Sequence, residues 1–178
     1  ELSSLAKDNF RYRTQKVVKI LLAIYVVMTI VVTISLKLAG MTWFDSVNHA
    51  MSACSTGGFS TKNASIGFFN SQLIEVILMV TMLISSIHFG LIFATVTLKS
   101  NNIFRSEVVR VYLAIIVAAT LMIALNLYST GINDDFQTSL REASFQVVSL
   151  ISTTGFATTN TNLWTPFAIT ILVILSII

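Results

Sequence analysis

The sequence is short of charge and nearly without cysteine, and each shortage excludes something. Asp, Glu, Lys and Arg make up only 11% of its 178 residues, where soluble domains carry about a quarter. No charged residue falls between Lys19 and Lys37, between Glu75 and Lys99, or between Arg110 and Asp134, and there is none from Ala143 to Ile178. A helix needs roughly 20 apolar residues to cross a bilayer core of about 30 Å, and these gaps are long enough to supply them. A water-soluble fold with 54% hydrophobic residues and a mean hydropathy of +0.82 would leave a large exposed apolar patch. One cysteine, Cys54, rules out an internal disulfide and leaves the redox compartment unreadable. The net charge is only +3, with the basic residues beside the apolar runs, which argues against nucleic-acid binding. The chain opens Glu1-Leu2-Ser3 without Met or a signal-peptide pattern and closes inside an apolar run, so a piece of a longer protein is expected.

What is there reads as a repeated plan. Residues 1–16 form a polar cytoplasmic surface arm, helical or irregular. A first span covers 17–38. Gly40 breaks it, and Thr42 is placed to cap a short helix over Trp43–Cys54, with Asp45 in its first turn. Twelve residues are too few to cross, so this segment reads as re-entrant. Residues 55–61 are Gly, Ser and Thr around one Phe, 62–72 are polar loop, and a second span runs 73–98. A basic cytoplasmic connector, 99–110, leads to a third span over 111–128. A loop at 129–138 precedes a second short helix, 140–151, and a second Ser/Thr/Gly segment, 152–158. Trp164 fits an interfacial belt and Pro166 a helix's first turn. The expected domains are therefore 1–16, a first span–pore loop–span repeat over 17–98, the connector 99–110, and a second repeat over 111–178, truncated in its last helix.

The two loops, Ser-Thr-Gly-Gly-Phe-Ser-Thr at 55–61 and Ser-Thr-Thr-Gly-Phe-Ala-Thr at 152–158, align at an offset of 97 residues with five of seven positions identical. Asn63 and Asn160 correspond at the same offset. The Lys and Arg bias sets orientation: residues 1–19 hold five and the connector three, against three in both re-entrant regions together. The N-terminus and connector are then cytoplasmic, and both loops enter from outside.

Irregular backbone at membrane depth survives only where protein buries it or water lines it. A potassium filter gives such backbone a purpose, because main-chain carbonyls replace the ion's hydration shell. Glycine permits the dihedrals that turn successive carbonyls to one side. Gly58 and Gly155 stand at the same place in each copy, and Phe59 and Phe156 follow, placed to wedge each strand against the helices behind it. The short helices would aim their negative C-terminal ends at the pore.

The stretch from Phe44 to Phe93, with Phe-Asp-Ser-Val-Asn-His-Ala-Met-Ser, the first loop, and Ile-Gly-Phe-Phe-Asn-Ser after it, resembles the TrkH-type membrane subunit of the Trk/Ktr/HKT potassium transporter superfamily. The second loop is similar to that family's next repeat. The resemblance implies an all-α integral membrane fold in which four span–pore-helix–span units surround one pore, with the second unit and most of the third in this chain. It implies potassium uptake across the cytoplasmic (inner) membrane. Ion-lining positions carried over are Ser55, Thr56, Gly57 and Gly58, and Ser152, Thr153, Thr154 and Gly155. It also implies a homodimer and a cytosolic nucleotide-binding regulatory subunit, no enzymatic activity, and no cofactor beyond the transported potassium ion.

Other side chains have plainer readings. His49 reads as a packed, hydrogen-bonded helix residue, and His88 as a neutral imidazole bonded within a span. Glu75 reads as a charge at a helix start, Asp134 and Asp135 as loop charges, Arg105 and Arg110 as orientation determinants, and Cys54 as packing behind the first loop. Two alternatives stand beside the pore: a sodium- or potassium-coupled secondary carrier, and an intramembrane Ser/His hydrolase. Such carriers often use inverted repeats, whereas these two share one orientation. The hydrolase lacks any Gly-x-Ser-x-Gly or His-Glu-x-x-His motif.

Overall fold

The computed structural model describes residues 2–86 and 107–177, with side chains from Val18 onward except Val108. His88, Lys99 and Arg105, and the parts of the second span and connector beyond Ser86, lie outside the described residues. The chain is all-helical, with no strand among the described residues. The helices are α1 (Leu2–Leu38), α2 (Trp43–Cys54), α3 (Gln72–Ser86), α4 (Glu107–Ser129), α5 (Phe136–Ile151) and α6 (Pro166–Leu175). Short 3₁₀ turns at Ser65–Phe69 and Thr161–Leu163 follow the two loops.

The polar arm and the first span are one helix. No Gly or Pro lies between Leu2 and Leu38 to interrupt it. Gly40 ends the run at φ +107, a dihedral that side chains rarely adopt. Thr42 then caps α2, its Oγ1 accepting the Asp45 N–H at 3.1 Å and donating to Asp45 Oδ2 at 2.9 Å. Pro166 opens α6 behind an N-cap Thr165 that accepts from the Ala168 N–H at 3.2 Å. α5 begins four residues before the expected start at 140: Phe136 packs edge-on against Tyr128 (5.9 Å, 84°), and Ser139 N donates to Asp135 O at 3.1 Å.

α1 packs on α2 and α3; α4 packs along α5 and α6; a contact between α3 and α5 joins the two halves. One apolar cluster runs through both, from Leu36, Ala53 and Leu78 to Ile123, Phe145 and Ala168. Trp164 belongs to it at 6% exposure, so it is a core residue and not the interfacial one its position suggested. The exposed, amphipathic Trp is Trp43, with Lys37 Nζ 5.7 Å from its ring centroid. Val18–Leu38 and Val109–Ser129 are long and apolar enough to cross a membrane. Much of α1's length presents Leu22, Val26, Ile30 and Ile34 outward, a stripe that needs lipid or protein over it.

Candidate functional site

The two Ser/Thr/Gly loops leave α2 and α5 in the same way. Ser55 and Ser152 have φ −87 and −81. Thr56 and Thr153 then turn left-handed at φ +51 and +57, and Gly58 and Gly155 do so again at φ +67 and +85. Gly57 and Thr154 between them are not left-handed. Alternation in the sign of φ tends to bring successive amides to one side of the chain and carbonyls to the other. Two of the left-handed residues are threonine, where the conformation carries a steric cost.

Most of the amides bond the helix behind; Gly58 N is the exception, with no acceptor among the described residues. Gly57 N donates to Ser52 O at 2.8 Å, and Thr154 and Gly155 N donate to Ser149 O at 2.9 and 3.1 Å. Thr56 and Thr153 N bond Ala53 O and Leu150 O at 3.3 and 2.9 Å. The carbonyls of 55–58 and 152–155 accept no hydrogen bond among the described residues. A row of oxygens without donors, on backbone whose other amides mostly bond the helix behind, is chemically a place for cations or water.

The loops also meet each other. A Cβ built on Gly58 would stand 1.9 Å from Thr154 O and 3.3 Å from Gly155 C, so only glycine permits this approach. Ala157 O accepts from Ile66 N and Gly67 N at 3.0 and 3.2 Å, and Ala157 N donates to Ser65 Oγ at 3.2 Å. Of the candidate positions, Thr56, Gly57 and Gly58 are half-buried, Ser152 and Thr154 buried, and Ser55, Thr153 and Gly155 exposed. Gly58, Thr154 and Gly155 are brought together across the two loops. Phe156 is wedged inward at 1% exposure, but Phe59 is 81% exposed and is not wedged against the helices among the described residues.

His49 is the buried hub behind both loops. Its Nδ1 lies 2.7 Å from Asp45 O and its Nε2 2.8 Å from Ser60 Oγ. A carbonyl only accepts, so Nδ1 carries the proton; Ser60 Oγ accepts from Lys62 N at 3.1 Å and is free to donate to Nε2. The ring meets Phe69 edge-on (5.4 Å) and Phe156 of the second loop at 5.9 Å. Asp45, 3% exposed, accepts from Thr61 Oγ1 at 2.5 Å and pairs with Lys62 Nζ at 3.5 Å, clamping the end of the first loop to the start of α2. Cys54 packs in the core behind this loop.

Sequence reasoning missed Arg141. Its Nε and Nη2 donate to Glu75 Oε2 and Oε1 at 2.6 and 2.7 Å. Glu75 stands in the first turn of α3, as a helix-start charge should, but its partner is 66 residues away. No local pattern could have shown the pair; the one available signal was an acid and a base flanking the two similar segments.

The sequence matches the TrkH family, described as "Cation transport protein", over residues 2–178. It is 35% identical over 169 residues to the Trk system potassium uptake protein TrkH of Salmonella typhimurium and 32% identical to that of Escherichia coli K12; both alignments cover 94% of this chain and 35% of the relative. The crystal structure of the potassium transporter TrkH from Vibrio parahaemolyticus superposes with a TM-score of 0.85 at 33% identity, covering 92% of this chain and 36% of that one. The chain thus spans about a third of the length of the curated relatives it matches. With its continuous TrkH match and the same helical architecture as a solved member, this chain is a membrane protein that belongs to the TrkH family of cation transport proteins.

Proposed function

We propose that this chain supplies two of the selectivity loops of a potassium uptake pore in the cytoplasmic membrane. The carrying observation is the alternation in the sign of φ at 55–58 and 152–155, with seven of the eight amides bonded to α2 and α5 and the carbonyls accepting no hydrogen bond among the described residues. Ser55, Thr56, Gly57 and Gly58, with Ser152, Thr153, Thr154 and Gly155, line the ion path. Carbonyl dipoles stand in for the water lost by the ion. α2 and α5 end at these loops, so their partial negative charge favours a cation there.

Contacts between the loops run in one direction. Gly58 of the first faces Thr154 of the second, and Phe156 of the second faces His49 behind the first. Such a head-to-tail contact, repeated with a rotation that closes, makes a ring. In a ring of four units, the exposed Phe59 meets the unit before it, and Gly155, with nothing within 4 Å of a built Cβ, meets the unit after it. In this reading α1, α3 and α4 are spans, α6 begins another, and α2 and α5 are re-entrant. Residues 1–19, with five Lys and Arg, are cytoplasmic, and the loops open outward. The family resemblance adds a homodimer and a cytosolic nucleotide-binding regulatory subunit as partners.

The test is Gly58→Ser in the full-length protein, with rubidium and sodium uptake measured at matched membrane abundance. The expected result is lost discrimination or lost uptake. Unchanged rate and selectivity would overturn the reading.

A further inference from the structure

We propose that the Glu75–Arg141 pair is the brace that positions the second loop, and that it sets ion selectivity without touching the ion; this rests on the pore reading above. The case comes from comparing how each loop is held. In the first, Asp45 of α2 clamps the returning strand through Thr61 Oγ1 (2.5 Å) and Lys62 Nζ (3.5 Å). The residues at the same places in the second are Glu142, Thr158 and Thr159, each 97 positions on. There the clamp is undone. Glu142 accepts instead from Asn133 Nδ2 at 2.9 Å, and the buried hydroxyls of Thr158 and Thr159 find no partner among the described residues. A cavity of about 280 Å³ opens where the clamp would be, lined by Glu142, Thr158, Thr159, Glu75 and Arg141 among others.

Beyond its bonds to Ser149 of its own helix, the second loop is braced from across the boundary between the halves. Arg141 is on α5, the helix that delivers the chain into Ser152; Glu75 is on α3, which follows the first loop. Two parallel bonds of 2.6 and 2.7 Å fix orientation as well as distance. Glu75 is buried, and a second cavity, about 450 Å³, is also lined by Glu75 and Arg141. α5 is packed along α4 and α6, but where it faces α3 it is flanked by hollows, so the pair is the main polar tie across that seam. Breaking it also leaves a buried charge without a partner. The geometry assigns Glu75 and Arg141 as positioning residues: they set the position of α5, and α5 sets where the carbonyls of 152–155 stand relative to Gly58.

The experiment uses Glu75→Gln, Arg141→Gln and the exchange Glu75→Arg with Arg141→Glu in the full-length protein. Rubidium uptake and its competition by sodium are read per unit of protein in the membrane. Each single change is expected to lower rubidium-over-sodium discrimination by about tenfold, the scale seen when outer partners of a metal site are removed. The exchange is expected to recover most of it. Wild-type discrimination in the single variants overturns the proposal. So does reduced abundance with normal discrimination in the remaining protein, since the pair would then serve stability alone. Where a single variant is too scarce to assay, failure of the exchange to restore discrimination has the same force. If Gly58→Ser disturbs selectivity and Glu75→Gln does not, only the brace is lost; if Gly58→Ser has no effect, the pore reading itself falls.

Discussion

The two loops share a conformation and differ in almost everything around it. Both step through the same signs of φ, yet Phe156 is 1% exposed and Phe59 81%. A Cβ on Gly58 would meet Thr154 O at 1.9 Å, while one on Gly155 meets nothing within 4 Å. Ser149 Oγ donates to Phe156 O at 2.7 Å, while Ser52 Oγ, 97 residues earlier, is buried without a partner among the described residues. The ribbon's shape is therefore dictated locally, by Ser-Thr-x-Gly after a short helix. Its burial is dictated by neighbours: Gly58 of the first loop lies against Thr154 of the second, and Phe156 of the second against His49 behind the first.

The comparison can be broken most decisively at the glycines. Gly58→Ala and Gly155→Ala should both abolish selective uptake in the full-length protein, because a ring puts a neighbour against each. If only Gly58→Ala does so, the difference between the loops is intrinsic and the ring fails. The phenylalanines come next. Phe156→Ala should cost about 3–5 kcal/mol of stability, as for any fully buried ring, read as a lowered unfolding temperature in detergent. Phe59→Ala should cost a similar amount in the full-length protein, whereas an indifferent Phe59 would mean that it truly faces lipid or water.

His49→Ala removes a buried ring and strands Asp45 O and Ser60 Oγ, for about 2–4 kcal/mol. His49→Gln should cost less, since Gln146 occupies the corresponding place in the second half; equal losses would show that imidazole itself is required. The smallest difference lies in the serines. Ser149→Ala should cost about 1 kcal/mol, and Ser52→Ala nothing or a slight gain, because its hydroxyl is unsatisfied already.

Local chemistry made half of this legible in the sequence. The bounds of α2, Trp43–Cys54, followed from Gly40 and the Thr42 cap, and the loops were visible as matching segments. Their use of left-handed threonine was not, because threonine carries no such preference; the helix ends behind them impose it. Trp164 was misplaced because an apolar ring beside a helix start looks the same whether it faces headgroups or a core. The contacts that join the halves, Gly58 to Thr154, His49 to Phe156 and Glu75 to Arg141, bridge long separations. They depend on how the helices dock, which no spacing rule records.

Anomalous scattering from thallium or rubidium bound to the full-length protein tests the central claim most directly. The account predicts a monovalent-cation peak coordinated by the main-chain oxygens of 55–58 and 152–155 together. Density for the ion elsewhere, with those oxygens bonded to protein donors, would contradict it.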